Sequence, residues 1–251
     1  MSIVRDTIFH PAFLIKFTGI FIDVEKNKIF DLMNRMNDEE LVFAAGRGDL
    51  QAVRDLLAAG VNPDSDDGDW NALTASSMRG HPLVVQELLA AGADPNATVN
   101  GNTALLSAAG EGRLPVVQIL LAAGANPNAF EEEFEGETIL HAAAYSNGPD
   151  YLEVVRELLK AGADPNIRGI FGMTALLGAA MDGDVPVIQE LIAWGADPTL
   201  ADNHGRTPLD YPAVERAWQA RLAAQRGLNQ YSTRYNLPPD FVDKVFWNLY
   251  R

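Results

Sequence analysis

The sequence predicts an all-α solenoid of stacked helix–turn–helix units with extended hairpin fingers between them. Two observations carry this prediction. A pair of large aliphatic residues, two spacers and a glycine recur five times, ending at Gly60, Gly92, Gly124, Gly162 and Gly195. The steps between these glycines are 32, 32, 38 and 33 residues, and self-similarity at such a period is typical of repeat architectures. Each unit then packs on its neighbours alone, so the chain needs no single globular core.

Each unit begins with a short first helix that carries two adjacent small residues. These pairs are Ala44-Ala45, Ser76-Ser77, Ala108-Ala109, Ala143-Ala144 and Ala179-Ala180. Small side chains at this position let the first helix of one unit lie close to that of the next. We therefore expect the first helices to form one tightly packed layer.

The second helix of each unit follows a tight turn. Three of these helices start near a proline, at Pro82, Pro115 and Pro186, where the missing N–H costs nothing and the fixed φ suits the first turn. An apolar face then follows at helical spacing, as in Val84-Val85 and Leu88-Leu89. The recurring glycine supplies the left-handed residue of the helix C-cap.

A turn rich in proline and Asx residues follows each of the last four of these glycines. It reads Ala93-Asp94-Pro95-Asn96, Ala125-Asn126-Pro127-Asn128, Ala163-Asp164-Pro165-Asn166 and Ala196-Asp197-Pro198-Thr199. Such residues reverse the chain and begin an extended finger. A later segment, Gly205-Arg206-Thr207-Pro208-Leu209-Asp210, opens a sixth, incomplete unit.

With these phrases the chain resembles the ankyrin repeat family, whose repeats carry Gly-x-Thr-Pro-Leu-His-x-Ala-Ala and Leu-Leu-x-x-Gly-Ala-Asp-x-Asn. The resemblance covers about residues 38–212 and implies five full repeats and a partial sixth. Alanine or asparagine mostly replaces the family's proline after threonine, and only His141 keeps its histidine. The resemblance implies a structural role for His141, which is expected to tie one finger to the next.

The fourth unit is longer than the others. From Gly124 to Thr138 is 14 residues, against 11 or 12 at the equivalent places, and from Thr138 to Gly162 is 24, against 21. The first insertion lengthens a finger and the second falls around residues 146–150. Insertions in repeat arrays lie in loops on one face, often the binding face.

Segments outside the repeats divide the chain into three predicted parts: residues 1–36, the repeat domain 37–212, and residues 213–251. Asn37 or Asp38 is expected to cap the first helix, and Met36 is an alternative start of translation. In the last part we expect a helix from Val214 to Gln225, a polar linker over residues 230–236 and a short helix through Tyr250. Both ends are expected to cap the array, with docking of a partner as the alternative role of the last helix.

Charge is distributed unevenly along the chain, which has a formal net charge of −15. Residues 1–36 have a net charge of +1 and residues 213–251 of +3, so residues 37–212 hold eight basic and 27 acidic side chains, a net charge of −19. Such a field repels nucleic acid, because phosphate contacts need Lys and Arg. It attracts cationic partners, or it serves only to keep the array soluble.

Cysteine is absent, which excludes disulfides and thiolate metal sites and fits a reducing compartment. The longest apolar stretch, Ile8 to Ile22, is interrupted by polar residues and is too short for a membrane-spanning helix. It also lacks the features of a signal peptide. We expect a cytoplasmic protein without stable membrane insertion, with peripheral membrane contact through this stretch as an alternative.

No catalytic or metal-binding pattern stands out. The four histidines, His10, His81, His141 and His204, are scattered over different segments, and no two share a helix face. Phosphate-loop and nucleophile-elbow motifs are missing. We expect no enzymatic activity, no cofactor and no metal site, and an enzyme of unrecognised type is a remote alternative.

The lengthened finger, called here the long finger, is the most unusual short segment. It consists of Phe130, Glu131, Glu132, Glu133, Phe134 and Glu135. Exposed aromatic side chains supply binding energy and the surrounding charge sets selectivity. The long finger is therefore a candidate site for a partner with a basic rim around an apolar pocket.

A second candidate surface follows from the family resemblance, because partners of ankyrin arrays usually lie on the concave face. Carried over by position, this concave surface comprises Arg47, Trp70, Met78, Arg79, Asn102, Glu111, Glu137, Tyr145, Ser146, Met173, Met181 and Asp182. Aromatic residues and methionines among acids are typical of an interface core with a polar rim.

These observations predict a non-enzymatic protein-binding module, an adaptor or a neutralising, immunity-type binder of bacterial style. Its partner is expected to be a protein with a basic patch, held by the acidic concave surface and the long finger of a monomer. The alternative is an acidic mimic of nucleic acid that inhibits a nucleic-acid-binding protein, for which steep salt dependence is the diagnostic.

Overall fold

The computed structural model describes residues 36–129, 137–146, 148 and 150–235. The described α-helices are α1 (36–47), α2 (Leu50–Ala58), α3 (Ala72–Arg79), α4 (Pro82–Ala90), α5 (Ala104–Gly110), α6 (Leu114–Ala122), α7 (Ile139–Ala144), α8 (Tyr151–Lys160), α9 (Ala175–Asp182), α10 (Val185–Ala193) and α11 (Pro212–Tyr235). One finger forms an antiparallel pair of short strands, β1 (Thr98–Val99) and β2 (Asn102–Thr103). Two short 3-10 helices lie at Ile170–Gly172 and Pro208–Asp210.

The helices form two layers. The first helices α3, α5, α7 and α9 pack in succession as an inner layer, and the second helices α2, α4, α6, α8 and α10 pack in succession as an outer layer. Helix α11 packs on α10. A continuous line of buried apolar residues runs between the layers, so the fold is the predicted all-α repeat solenoid.

Each of the four inner helices α3, α5, α7 and α9 begins at a side-chain cap. The capping oxygens belong to Asn71, Thr103, Thr138 and Thr174, and each accepts a hydrogen bond from the backbone N–H three residues on, at 2.7, 3.1, 3.1 and 3.2 Å. Such caps satisfy a free donor of the first turn. The small pairs are buried as predicted, Ala108 and Ala109 completely.

The outer helices end as the repeated pattern predicts. Gly60, Gly92, Gly124, Gly162 and Gly195 have φ values of 89, 97, 89, 91 and 97°, a backbone region that favours glycine. Before these glycines the apolar faces are buried, as Val84, Val85 and Leu88 show in α4. The two layers are thus defined by local sequence signals within every unit.

A ladder of asparagine side chains joins consecutive fingers. The Oδ1 atoms of Asn96, Asn128 and Asn166 accept from the backbone N–H groups of Asn126, Asp164 and Asp197, each at 2.7 Å. Their Nδ2 atoms donate to the carbonyls of Gly124, Gly162 and Gly195 at 3.2, 2.9 and 3.3 Å. One turn earlier, the Asp64 carboxylate accepts from Asp94 N–H at 2.8 Å but has no N–H to donate.

Two predictions about the ends were wrong. Residues 36–38 are already helical, so neither Asn37 nor Asp38 caps α1, and the Asp38 carboxylate instead accepts from the Ser65 hydroxyl at 2.6 Å. Helix α11 continues to Tyr235, because residues 228–235 contain no proline or glycine to end it; the linker expected from residue 230 is helical up to that point.

Other predicted features lie outside the described residues. These are the segment before residue 36, including Ile8 to Ile22, and the short helix expected through Tyr250. Among the described helices none, the 24-residue α11 included, has the length and apolar character needed to cross a bilayer.

Candidate protein-binding surface

The residues of the concave surface occupy two sequence positions that recur along the repeats. The first lies directly before each inner-helix cap and holds Trp70, Asn102, Glu137 and Met173. The second lies at the end of each inner helix and holds Arg47 in α1, Met78 and Arg79 in α3, Glu111 after α5, Tyr145 and Ser146 after α7, and Met181 and Asp182 in α9. Because the inner helices stack, these side chains lie in rows along one side of the array.

Most of these side chains are accessible. Arg47, Arg79, Glu111, Tyr145, Met181 and Asp182 are exposed, and Trp70, Met78, Asn102, Glu137 and Met173 are half-buried. Ser146 is different, because it is only 8% exposed and its hydroxyl accepts a hydrogen bond from Gly148 N–H at 3.0 Å. Its side chain therefore shapes the inserted loop.

Gly148, which follows α7, lies against the preceding unit. A Cβ atom at Gly148 would lie 2.5 Å from the Glu111 carbonyl oxygen and 2.7 Å from the Gly112 Cα atom. Only glycine allows so close an approach of two backbones. The long finger, Phe130 to Glu135, lies outside the described residues, and its role stays a prediction.

Charge on the concave surface is segregated along the array. Arg47 and Arg79 belong to the first two units, and Glu137 and Asp182 to the fourth and fifth. Between them, Glu111 lies 3.6 Å from the guanidinium of Arg113. Among the twelve residues named for this surface, the basic side chains therefore belong to the first two units and the acidic ones to the third, fourth and fifth, while three further acids, Asp66, Asp67 and Asp69, precede Trp70 in its finger.

At the acidic end, Tyr145 packs on His141. Their ring centroids are 4.8 Å apart with the planes at 54°, and His141 is only 3% exposed. Gly178 in α9 makes room for both, because a Cβ atom there would lie 2.5 Å from Tyr145 Cε2 and 2.9 Å from His141 Nε2. The position of the Tyr145 ring is thus fixed by contacts between two units.

The family resemblance implied that the His141 ring ties one finger to the next, but the described part of the chain contains no hydrogen bond of this ring. Neither ring nitrogen has a hydrogen-bond partner among the residues that the structure describes. Burial lowers the pKa of His141 to about 4, so the imidazole is uncharged near neutral pH. A buried imidazole without partners is kept by packing, and its protonation would be costly.

Two carboxylates accompany Tyr145. Burial raises the pKa of Tyr145, and the nearby carboxylates of Asp182 and Glu137 raise it further. Glu137 is half-buried, which raises its own pKa. Neither carboxylate has an ion-pair or hydrogen-bond partner within the described ranges. Glu137, His141, Tyr145, Met181 and Asp182 are called the Tyr145 cluster below.

The cation that acts on Tyr145 is already paired. Arg206 acts electrostatically on Tyr145, but its guanidinium contacts the Asp202 carboxylate at 2.6 and 2.7 Å. The Asp202 side chain is fully buried. Burial alone would raise its pKa, but the hydrogen bonds from Arg206 and His204 outweigh this and hold the pKa of Asp202 below its usual value. The charge of Arg206 is therefore neutralised.

Phe171 is an exposed aromatic residue that the sequence analysis did not select. Its side chain is 54% exposed and its backbone is left-handed, with φ 55° and ψ 21°. Asn203 N–H donates to its carbonyl at 2.9 Å, and Arg168 Nε donates to the Gly172 carbonyl at 3.0 Å. The flanking glycines of Gly169-Ile170-Phe171-Gly172 were the only sequence signal.

A groove of about 730 Å³ lies on the outer side, between α8, α10 and α11. Several of its polar groups bind one another: Arg156 contacts Glu153 at 2.6 Å and Glu190 at 3.0 Å, and Trp194 donates to Glu190 at 3.1 Å. The described ranges contain no group of three His, Asp or Glu side chains arranged to hold a metal ion. The Tyr145 cluster, by contrast, offers two carboxylates that have no ion-pair or hydrogen-bond partner among the residues that the structure describes.

Comparison with known protein families shows that the chain matches one of them. The family model for ankyrin repeats, in three copies, matches residues 41–131 and 140–229, well over half of the chain. The second match continues past residue 212 into α11. No curated protein matches the chain.

Proposed function

The chain belongs to the ankyrin repeat family, whose repeats indicate a protein–protein interaction module, and we propose that it binds one basic or amphipathic protein. In this proposal it acts as an adaptor or as a neutralising, immunity-type binder. The partner lies along the concave surface and against the long finger. The protein acts as a cytoplasmic monomer without catalytic activity, and its cysteine-free composition fits a reducing compartment.

The observation that carries the proposal is the Tyr145 cluster. Tyr145 and Met181 are exposed apolar groups, 36% and 41% accessible, beside the carboxylates of Glu137 and Asp182, which lack an ion-pair or hydrogen-bond partner within the described ranges. Interfaces are enriched in aromatic residues and methionine at the core and have a polar rim. A partner that covers Tyr145 and Met181 therefore needs cationic groups opposite the two carboxylates.

Mimicry of nucleic acid is less well supported. A mimic presents acidic groups along the whole contact with a cationic protein surface. Here Arg47 and Arg79 would face that surface at the other end of the array, and like charges across an interface are unfavourable. The segregated charge instead favours a partner with one basic region and one acidic or neutral region.

The proposal is tested by capture on the intact, immobilised chain from a lysate of the source organism, at low and moderate salt. A variant with Glu132→Lys and Glu133→Lys tests the long finger. The control with Asp55→Lys, Gln86→Lys and Gln118→Lys adds the same charge on exposed outer-layer positions. We expect one stoichiometric partner that is depleted by the finger variant and retained by the control. Capture that survives in both, or no stoichiometric partner at all, would contradict the proposal.

A further inference from the structure

We propose that the Tyr145 cluster is a receptor for a single cationic side chain, lysine or arginine, of the protein partner. The inference rests on the proposed function and narrows it to one ligand group at one place. Tyr145 supplies an aromatic face, and Glu137 and Asp182 supply the countercharge. Met181, which is exposed and directly precedes Asp182 in α9, supplies apolar surface for the aliphatic stem of the ligand.

The aromatic face is held in a fixed position. Tyr145 packs against His141 at a centroid distance of 4.8 Å, and the missing side chain of Gly178 lets α9 approach both rings. His141 itself is 97% removed from solvent and its ring nitrogens lack partners among the described residues. A prearranged surface loses little conformational entropy on binding, which favours the ligand.

The charged groups around the Tyr145 ring favour binding of a cation. The two carboxylates have no partner within the described ranges, whereas Arg206, the cation that acts electrostatically on Tyr145, is bound to Asp202 at 2.6 Å. His141 is uncharged at neutral pH and does not repel a cation. Among the described residues the cluster therefore carries two carboxylates without a cationic partner next to an aromatic ring.

The chemistry of the cluster fits an organic cation better than other ligands. An anion would meet the electron-rich ring and both carboxylates. A metal ion would need three or more grouped ligands, which the described residues do not provide. An ammonium or guanidinium group over an aromatic face is attracted by the ring quadrupole, and the stem of such a side chain packs along apolar surface.

The test uses the full chain and small probes, with binding followed by NMR shifts of the Tyr145 cluster. N-acetyl-arginine amide is compared with N-acetyl-citrulline amide, which has the same shape without the charge. We expect saturable shifts at Tyr145 with the arginine probe and binding of the citrulline probe weaker by about fivefold or more. Glu137→Gln with Asp182→Asn should lose this preference, whereas the control Asp55→Asn should keep it.

Replacement of the ring separates the aromatic contribution from the charge. Tyr145→Phe keeps the aromatic face and should bind the arginine probe like the wild type, whereas Tyr145→Leu should bind it several-fold more weakly. Circular dichroism of each variant checks that the fold is kept. Equal binding of the two probes, shifts confined to other parts of the chain, or binding indifferent to the carboxylates would overturn the inference.

Failure of the inference is distinguishable from failure of the proposed function. If capture of the partner depends on Tyr145 and Met181 but the arginine probe is not preferred, the proposed cation receptor is wrong, while the proposed role as a protein-binding module still holds. If the arginine probe is clearly preferred but no partner is captured, the result supports the proposed cation receptor and counts against the proposed role as a protein-binding module.

Discussion

Asn128 binds the backbone of Asp164 across the junction between two fingers, with Asn128 Oδ1 2.7 Å from Asp164 N. The same side chain donates to Gly162 at 2.9 Å. Because Asn96 and Asn166 repeat both contacts at their own junctions, the fingers are linked by side-chain amides. This ladder and the packing of the two helix layers together set the distance between neighbouring units, and therefore between the side chains that each unit contributes to the concave surface.

Loss of one link in the ladder should lower stability. Asn128→Ala removes both hydrogen bonds, so we expect the free energy of unfolding to fall by about 1 to 2 kcal/mol. Urea denaturation measures the change. Asn62→Ala is the control, because the Asn62 side chain accepts only from the nearby Asp64 N–H; an equal loss in both variants would argue against the ladder.

Completion of the ladder at its first position should raise stability. Asp64 accepts from Asp94 N–H but cannot donate, so Asp64→Asn supplies the missing donor toward the Gly92 carbonyl. We expect a gain of about 0.5 to 1 kcal/mol in the free energy of unfolding. Asp94→Asn removes the same charge without adding this donor, and a gain of equal size in that variant would assign the effect to charge alone.

His141 should make stability depend on pH. Burial lowers its pKa to about 4 from an ordinary value of 6.5, so the unfolded chain binds the proton more tightly. The stabilising effect of neutral His141 is complete above pH 6.5 and is lost as the pH falls towards 4, by roughly 2 to 3 kcal/mol at pH 4.5.

The matched variant is His141→Leu, which cannot titrate. Urea denaturation at pH 7 and pH 4.5 should show a smaller loss of stability in this variant than in the wild type. Glu137, with its pKa raised by burial, acts in the opposite direction in both proteins and cancels from the comparison. An identical pH dependence of the two proteins would contradict the assignment to His141.

Gly178→Ala should displace the Tyr145 ring. The new methyl group would lie 2.5 Å from Tyr145 Cε2, and overpacking of this kind destabilises by about 1 to 3 kcal/mol. Thermal unfolding and the near-ultraviolet circular dichroism of the tyrosine report the change. Gly227→Ala in α11, where a methyl group meets nothing within 4 Å, should instead be neutral or stabilising; destabilisation of similar size in both would refute the contact.

Phe171 has a left-handed backbone conformation, which is unfavourable for a residue with a side chain. Replacing it with glycine should therefore be better tolerated than replacing it with alanine. Its φ of 55° suits glycine, so Phe171→Gly should be more stable than Phe171→Ala by about 1 kcal/mol. Equal unfolding free energies of the two variants would show that the backbone at this position carries no strain.

Local sequence signals predicted most of the fold, because each unit is built from contacts within about 30 residues. The glycine caps, the Asx turns and the buried pairs such as Ala108-Ala109 are all visible in the printed sequence. The length of α11 was missed because composition alone suggested a linker. The family model places the repeats over the same region.

The candidate site was only partly predictable. Tyr145, Glu137, Met181 and Asp182 were selected by repeat position, but the contact of Tyr145 with His141 and Gly178 depends on how two units pack. That Arg206 does not serve as the partner of the carboxylates beside Tyr145 became clear only from its ion pair with Asp202. The left-handed backbone of Phe171 depends on its hydrogen bond with Asn203, a residue of another finger.

The most direct test of the account is the affinity of the captured partner for two double variants of the intact chain. Tyr145→Ala with Met181→Ala removes apolar surface from the concave side, and Leu83→Ala with Val185→Ala removes exposed apolar surface from the starts of outer helices. We predict that the first variant, which loses the packing of Tyr145 on His141 and so melts at a lower temperature, remains folded at the assay temperature and binds about tenfold more weakly or worse, while the second binds like the wild type. Wild-type affinity in the first variant, or equal weakening in both, would contradict the assignment of partner binding to this surface.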